Sequence, residues 1–322
     1  MGLMKKDRGM LAYKNSMCIR GIAAICIMLG HYLSSFPWYV GGWFHGFLWV
    51  GIFFFYSGYG LRISVEYKEN YLENFWNHKI KNVFLPYMLA AGTATLFYSD
   101  KYKLSWYKIV IGPLIGYRYN TTLWYVVELF FLYIIFYIVY KYRPKALEII
   151  MGICYFVFVI MGVFFDIGTW WYISTSAFLM GIMYKNYIDI FYTLLRKIKL
   201  YINLIFVLLY SVIVLNQAGI LKLPWKETYI ITLIQMIMIP LFVLVIWNMD
   251  IRFEGVWQNI LNSLGKISYE IYLWHMLILL VNQSICFGGR IIECVLSIIE
   301  TVIWAMALNC MKRKFQKMGK FI

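Results

Sequence analysis

The sequence predicts an all-α fold: a polytopic membrane helix bundle of about ten transmembrane helices, with both termini in the cytoplasm. Three observations carry this. The 322 residues are 62% apolar and only 14% charged, where a soluble domain carries about a quarter charged. Apolar windows long enough to cross a bilayer core recur along the whole chain. The basic residues crowd into alternate connections between those windows. No polar stretch is long enough to fold alone, so a single integral-membrane domain over 1–322 is expected, with no fused soluble domain.

The windows fall at 16–36, 43–63, 80–98, 122–140, 146–165, 169–188, 201–217, 229–248, 267–284 and 290–311. The first holds Arg20 and lacks a small-residue cleavage site, so it should stay as a spanning helix and not be cut as a signal peptide. The segment around 103–118 is broken by Gly112, Pro113 and Gly116 and is too short to span. It is expected at the outer interface or folded back into the protein. The N-terminus, the connections after windows 2, 4, 6 and 8, and the C-terminus hold 22 of the 30 Lys and Arg residues. The opposite connections hold 7, and Arg20 lies inside the first window. The positive-inside rule then puts both ends in the cytoplasm. This bias accounts for most of the net charge of +15. Spread over many short loops, it does not describe a nucleic-acid partner. The six cysteines form no Cys-x-x-Cys pair and lie in or beside apolar runs. They read as small hydrophobes, and no metal-ligand spacing appears.

Ionisable groups inside spanning helices are costly and mark sites. Arg20 and His31 share the first window. Eleven steps of about 1.5 Å put His31 roughly 16 Å deeper than Arg20, about half the core. Eleven residues are also about three turns, so both side chains leave one face. Arg20 could snorkel as one more boundary charge, and His31 could be a structural histidine bonded to a neighbouring helix. The functional reading makes His31 a general base. Glu128, in the fourth window, needs a partner or a proton among its apolar neighbours. It could orient His31, or pair with another helix. His275 and Glu270 lie in the ninth window. Arg62, Lys79 and Lys81 would crowd the same cytoplasmic mouth as Arg20, a setting that suits phosphates. The plainer reading is positive-inside charge. Gly58 and Gly60 read first as close helix packing. Trp38, Trp43, Trp170, Trp171 and Tyr172 sit near window ends, as an interfacial aromatic belt would. Trp170 and Trp171, beside Asp166, also suit stacking on a sugar ring.

Several stretches together resemble the membrane-bound acyltransferase 3 family, which moves acyl groups, commonly acetyl, onto sugars of surface glycans. RGIAAICIMLGHY resembles its Arg-x10-His signature, and GIFFFYSGYGL its Gly-x-x-x-Phe-Phe-x-x-Ser-Gly-Tyr segment. FWNHKIKNVFLPY resembles its basic loop, LWYVVEL its Leu-Trp stretch, and ISYEIYLWH its late Ser-Tyr-x-x-Tyr-Leu-x-His stretch. The five occur in the family's order and cover nearly the whole chain. The resemblance implies His31 as catalytic base with Arg20 as its motif partner; Glu128, a carboxyl group expected at similar depth, is the candidate companion of the imidazole. The resemblance also implies acyl-CoA, expected to be acetyl-CoA, as donor and co-substrate. The donor would be held by Arg20, Arg62, Lys79 and Lys81, with Ser57 and Tyr59 along its pantetheine arm. Where the family shows Arg-x-x-Arg, this chain has Lys79 and Asn82, and Lys81 supplies the second charge. The acceptor is expected to be a glycan or lipid-linked sugar, with Trp124, Asp166, Trp170, Trp171 and His275 as substrate contacts.

The expected protein is an O-acyltransferase of a cytoplasmic, bacterial-type membrane. Its partners are the bilayer, acyl-CoA and the sugar acceptor; nucleic acid is not among them, and a homo-oligomer stays open. The rival reading is a multi-helix transporter or flippase for a glycan lipid or small acid. That reading explains buried His and Glu residues but not a cation cluster gathered at one mouth.

Overall fold

The computed structural model describes residues 11, 13–34, 36, 45–103, 105–107, 111–112, 122–221, 227–249, 251, 253–285 and 289–318. Most of the segment around 103–118, and Trp38 and Trp43, lie outside the described residues. Every described regular element is helical: α1 (Tyr13–Leu33), α2 (Gly46–Tyr67), α3 (Phe75–Lys79), α4 (Leu85–Tyr102), α5 (Trp124–Tyr142), α6 (Leu147–Phe164), α7 (Ser176–Gln217), α8 (Glu227–Asn248), α9 (Gly255–Lys266), α10 (Ser268–Ile285) and α11 (Arg290–Met318). A π-helical turn, Ile80–Phe84, joins α3 to α4. Among the described residues seven helices are long and apolar enough to cross a membrane, or eight if the bent pair α9–α10 makes one span. The chain is a polytopic membrane helix bundle.

Eight of the ten apolar windows each fall on a helix of their own; the pair 169–188 and 201–217 does not. Both fall largely on α7, a single helix of 42 residues. At about 1.5 Å per residue it is roughly 63 Å long, about twice a bilayer core. The expected connection at 189–200 holds Arg196, Lys197 and Lys199 but no Gly or Pro. Charge alone does not break a helix, and Leu, Ile, Lys and Arg sustain it. The Lys/Arg count places this stretch in a connection. A second element was not expected at all: α9, of 12 residues, meets α10 at 69°. Gly255, with φ +63°, starts it. It is too short and too polar to register as a span.

The chain divides into two compact units. The first comprises Met1–Ser16, Val40–His78 and Glu128–Phe253. Its core is the crossing of α2 and α7. A Cβ on Gly58 would meet the Phe178 carbonyl, and one on Gly181 the Phe55 carbonyl, so the two backbones touch there. The SGYG stretch of α2 therefore has a packing reason at Gly58. Gly60 has none: a Cβ there meets nothing within 4 Å. Helix α8 packs on both helices, with the Trp247 ring 4.4 Å from that of Tyr184.

The second unit comprises Met17–Tyr39, Lys79–Val127 and Glu254–Ile322. Helices α10 and α11 pair along their length, and α4 packs on α10. The late stretch ISYEIYLWH explains the pinning of α10. Residues 268, 272 and 275 recur on one helix face. Ser268 Oγ donates to the Gly265 carbonyl at 2.9 Å, closing the bend. Tyr269 OH donates to the Val83 carbonyl at 2.7 Å, beside α4. Tyr272 OH donates to the Thr122 carbonyl, just before α5. Helix α9 lies against α1: a Cβ on Gly265 would meet the Met17 carbonyl, and one on Gly21 would stand 2.6 Å from the Leu261 carbonyl oxygen.

Candidate functional site

The second unit gathers a histidine pair. His31 is half-buried near the end of α1. His275, on α10, is fully buried, and its ring centroid lies 5.3 Å from that of His31, the planes tilted by 33°. His275 Nδ1 stands 2.8 Å from the Tyr272 carbonyl and 3.2 Å from that of Ile271. Both are carbonyl oxygens of the preceding turn and only accept, so Nδ1 carries the proton. His275 was expected at the acceptor; enclosed as it is, the structure leaves it no exposed atom. The next residue on α1, Tyr32, fixes the register. Its hydroxyl donates to the His275 carbonyl at 2.8 Å and lies 3.1 Å from Thr301 Oγ1 on α11. A tyrosine hydroxyl has one proton, so Thr301 donates to Tyr32.

Arg20 is half-buried on the same helix, about three turns from His31. Its turn of α1 is the one that α9 touches through Gly21 and Gly265. Cys18 Sγ, in the same turn, lies 3.6 Å from the Gln258 carbonyl of α9. Lys81 is exposed on the π-helical turn and Lys79 is half-buried just before it. Single π turns inside helices recur at functional sites. In the first turn of α10, Glu270 Oε1 faces Lys312 Nζ at 3.9 Å. Trp124 opens α5, half-buried. Its neighbour Tyr125 sets its ring 5.3 Å from that of Tyr272.

The remaining expected residues belong to the first unit. Arg62 is engaged within the protein: its Nε lies 2.8 Å from Glu66 Oε1, and its Nη2 donates to Asn186 Oδ1 at 3.2 Å. Asn186 Nδ2 in turn donates to Glu148 Oε1. Glu66 thus offsets the Arg62 charge directly, and Asn186 links Arg62 to Glu148. Ser57 Oγ donates to the Phe53 carbonyl of its own helix at 2.8 Å. The Tyr59 ring stacks parallel to that of Phe55, centroids 6.2 Å apart, and meets that of Tyr184 edge-on at 6.0 Å.

Glu128, on α5, is 3% exposed and receives the Thr175 hydroxyl on Oε1. Oε2 is buried with no hydrogen-bond partner among the described residues. Thr175 Oγ1 also lies 3.4 Å from the Trp171 carbonyl. The carboxyl group therefore stands beside the aromatic segment that sequence reading assigned to the acceptor. In that segment Trp170 is 50% exposed and Asp166 is exposed in a left-handed turn, φ +51°. Burial, with the Asp166 carboxylate and Tyr229 adding to it, pushes the Tyr172 phenol up. Sequence reading passed over His45, at the start of α2. It is buried against the rings of Phe47 and Tyr210, and burial pushes its pKa down to about 4.

An imidazole half-open on a spanning helix, with a guanidinium three turns away, can accept a proton from a hydroxyl while an anionic molecule is held at one end. No curated protein and no solved structure matches the chain. The acyltransferase domain of the acyltransferase 3 family matches residues 16–310, from the first residues of α1 to the last turns of α11. The chain belongs to the membrane-bound acyltransferase 3 family.

Proposed function

We propose that the protein is an integral-membrane O-acyltransferase. It moves an acyl group, acetyl, from cytosolic acetyl-CoA to a sugar hydroxyl of a cell-surface glycan or its lipid-linked precursor. The observation that carries this reading is His31, half-open on α1, with Arg20 three turns away on the same helix. Family membership supplies the acyl donor and acceptor in general terms.

The donor's phosphates dock at Arg20, Lys79 and Lys81, cations of one unit, and the thioester reaches toward His31. Lysine grips phosphate as a point charge and arginine as a fork, so Arg20 sets the orientation and the lysines add attraction. Arg62 contributes less, because Glu66 and Asn186 already occupy its fork. His31 takes the proton of the acceptor hydroxyl as the oxygen attacks the thioester carbonyl. The carbon–sulfur bond breaks, and the coenzyme A thiolate leaves with the proton from His31. In the first unit, Trp170 and Trp171 suit stacking on a sugar ring. Glu128 holds that segment through Thr175.

The test is purified protein in liposomes with radiolabelled acetyl-CoA and a lipid-linked sugar. Wild type transfers label to the sugar. His31→Ala lowers kcat at least about a hundredfold, the ordinary share of a general base, while donor binding persists. Full transfer by His31→Ala would overturn the assignment of the base. Sugar movement across the membrane with no thioester cleavage would favour a transporter instead.

A further inference from the structure

His275 has a role that its family stretch and its burial leave open. Its Nδ1 proton is committed to two backbone carbonyls, at 2.8 Å and 3.2 Å. Nε2 of the neutral ring is then a bare acceptor. It is buried, and among the described residues it has no hydrogen-bond partner. A buried acceptor without a donor is expensive and calls for an explanation. The ring beside it is His31, centroids 5.3 Å apart.

That separation is informative. A ring nitrogen lies about 1.2 Å from its imidazole centroid, and an N–H···N bond spans about 2.9 Å. Two imidazoles joined edge to edge by one such bond therefore have centroids roughly 5.3 Å apart. As the rings stand Nε2 has no partner among the described residues, and rotation of the half-exposed His31 ring would bring one of its nitrogens to it. The backbone under both rings is meanwhile held: Tyr32, next to His31, donates to the carbonyl of His275 itself.

We propose that His275 is the positioning residue of His31. Its Nε2 accepts an N–H of His31, which fixes the tautomer of His31 and aims the other, bare nitrogen at the acceptor hydroxyl. When His31 takes the hydroxyl proton it becomes an imidazolium. Its second N–H stays on His275 Nε2, and the two carbonyls at Nδ1 share the charge. The thiolate then removes the proton, and His275 ends as it began. Catalytic hydrogen bonds that are long in the free enzyme commonly tighten in the substrate complex. This inference rests on the acyl-transfer reading above.

The experiment compares His275→Gln, His275→Asn and His275→Phe in purified protein, with radiolabelled acetyl-CoA and a lipid-linked sugar. Gln reaches the Nε2 position with an amide oxygen. Asn reproduces only the Nδ1 donor, and Phe keeps the ring alone. The expected result is a kcat about a hundredfold down for Asn and Phe, KM for acetyl-CoA within twofold, and at least a tenfold recovery of kcat in Gln. The Asn and Gln variants keep melting temperatures near wild type, which separates the chemistry from folding even where Phe fails to fold. Equal activity of Asn and Gln, or a loss confined to acceptor KM, overturns the proposal. If His31→Ala is inactive while all three His275 variants work, only this inference fails. If His31→Ala is active, the acyl-transfer assignment of His31 fails first.

Discussion

The contact between α1 and α9 invites a single-methyl test, Gly21→Ala. The added Cβ would stand 2.6 Å from the Leu261 carbonyl oxygen, 2.9 Å from the Gly265 nitrogen and 3.1 Å from Leu264 Cβ. A carbon against a carbonyl oxygen rests at about 3.3 Å or more, so the two helices must part by roughly 0.7 Å. Two of the three atoms are backbone and cannot rotate away. Overpacking of this kind costs about 1–3 kcal/mol, and alanine returns about 1 kcal/mol of helix preference. With two backbone atoms closer than 3.0 Å the cost sits at the upper end of that range, so the net loss is about 1–2 kcal/mol. The displaced turn carries Arg20, and a misplacement of about 1 Å near a site can cost up to a hundredfold in rate.

Gly60→Ala is the control, since its Cβ meets nothing within 4 Å. The assay pairs thermal melting in detergent with acetyl transfer in liposomes. Gly21→Ala should melt several degrees lower, at about 2–4 °C per kcal/mol, and transfer about tenfold more slowly. Gly60→Ala should match or exceed wild type in both. A Gly21→Ala protein that melts and transfers like wild type would refute the contact and the role given to it.

Further outcomes follow from the same geometry. Tyr32→Phe removes the donor to the His275 carbonyl and the acceptor of Thr301, both buried. It should cost about 1–3 kcal/mol, read as a lower melting temperature, with a smaller loss of kcat than His275→Asn. Lys79→Ala combined with Lys81→Ala should raise KM for acetyl-CoA about tenfold at unchanged kcat, and the wild-type KM should itself rise with salt. Arg62→Ala should shift that KM less and melting more, because it breaks contacts to Glu66 and Asn186.

Much of this was legible in the sequence, for definite reasons. Arg20 and His31 stand out because an apolar run makes ionisable groups conspicuous. The apolar windows recover the spanning helices because hydrocarbon length is a strong constraint. The misses have equally definite causes. Three cations at 196–199 look like a loop, yet nothing in 189–200 breaks a helix, and α7 runs through. Helix α9 was invisible because 12 polar-faced residues satisfy no spanning rule; Gly255 and Gly265 were its signals. For Glu128 the sequence offers no local sign of its hydrogen-bond partner. Its described partner is Thr175, in the unit that holds the Trp170 segment. The ring beside His31 comes from the far end of the chain, and no local pattern announces such a contact.

The Arg20–His31 pair of α1 likewise depends on elements far along the chain. In the proposed site the separation of Arg20 from His31 serves a donor only if it is fixed, and a lone helix in lipid is free to slide and turn. Within its unit α1 is held at both ends by late elements. At the Arg20 end the backbone of α9 meets Met17 and Gly21. At the His31 end Tyr32 is tied to α10 at His275 and to α11 at Thr301, with Cys294 Sγ 3.7 Å from its carbonyl. The first contact admits no methyl group and the second consists of buried hydrogen bonds, so neither slides without cost. Two residues at the start of the chain thus acquire their spacing, depth and orientation from helices near its end.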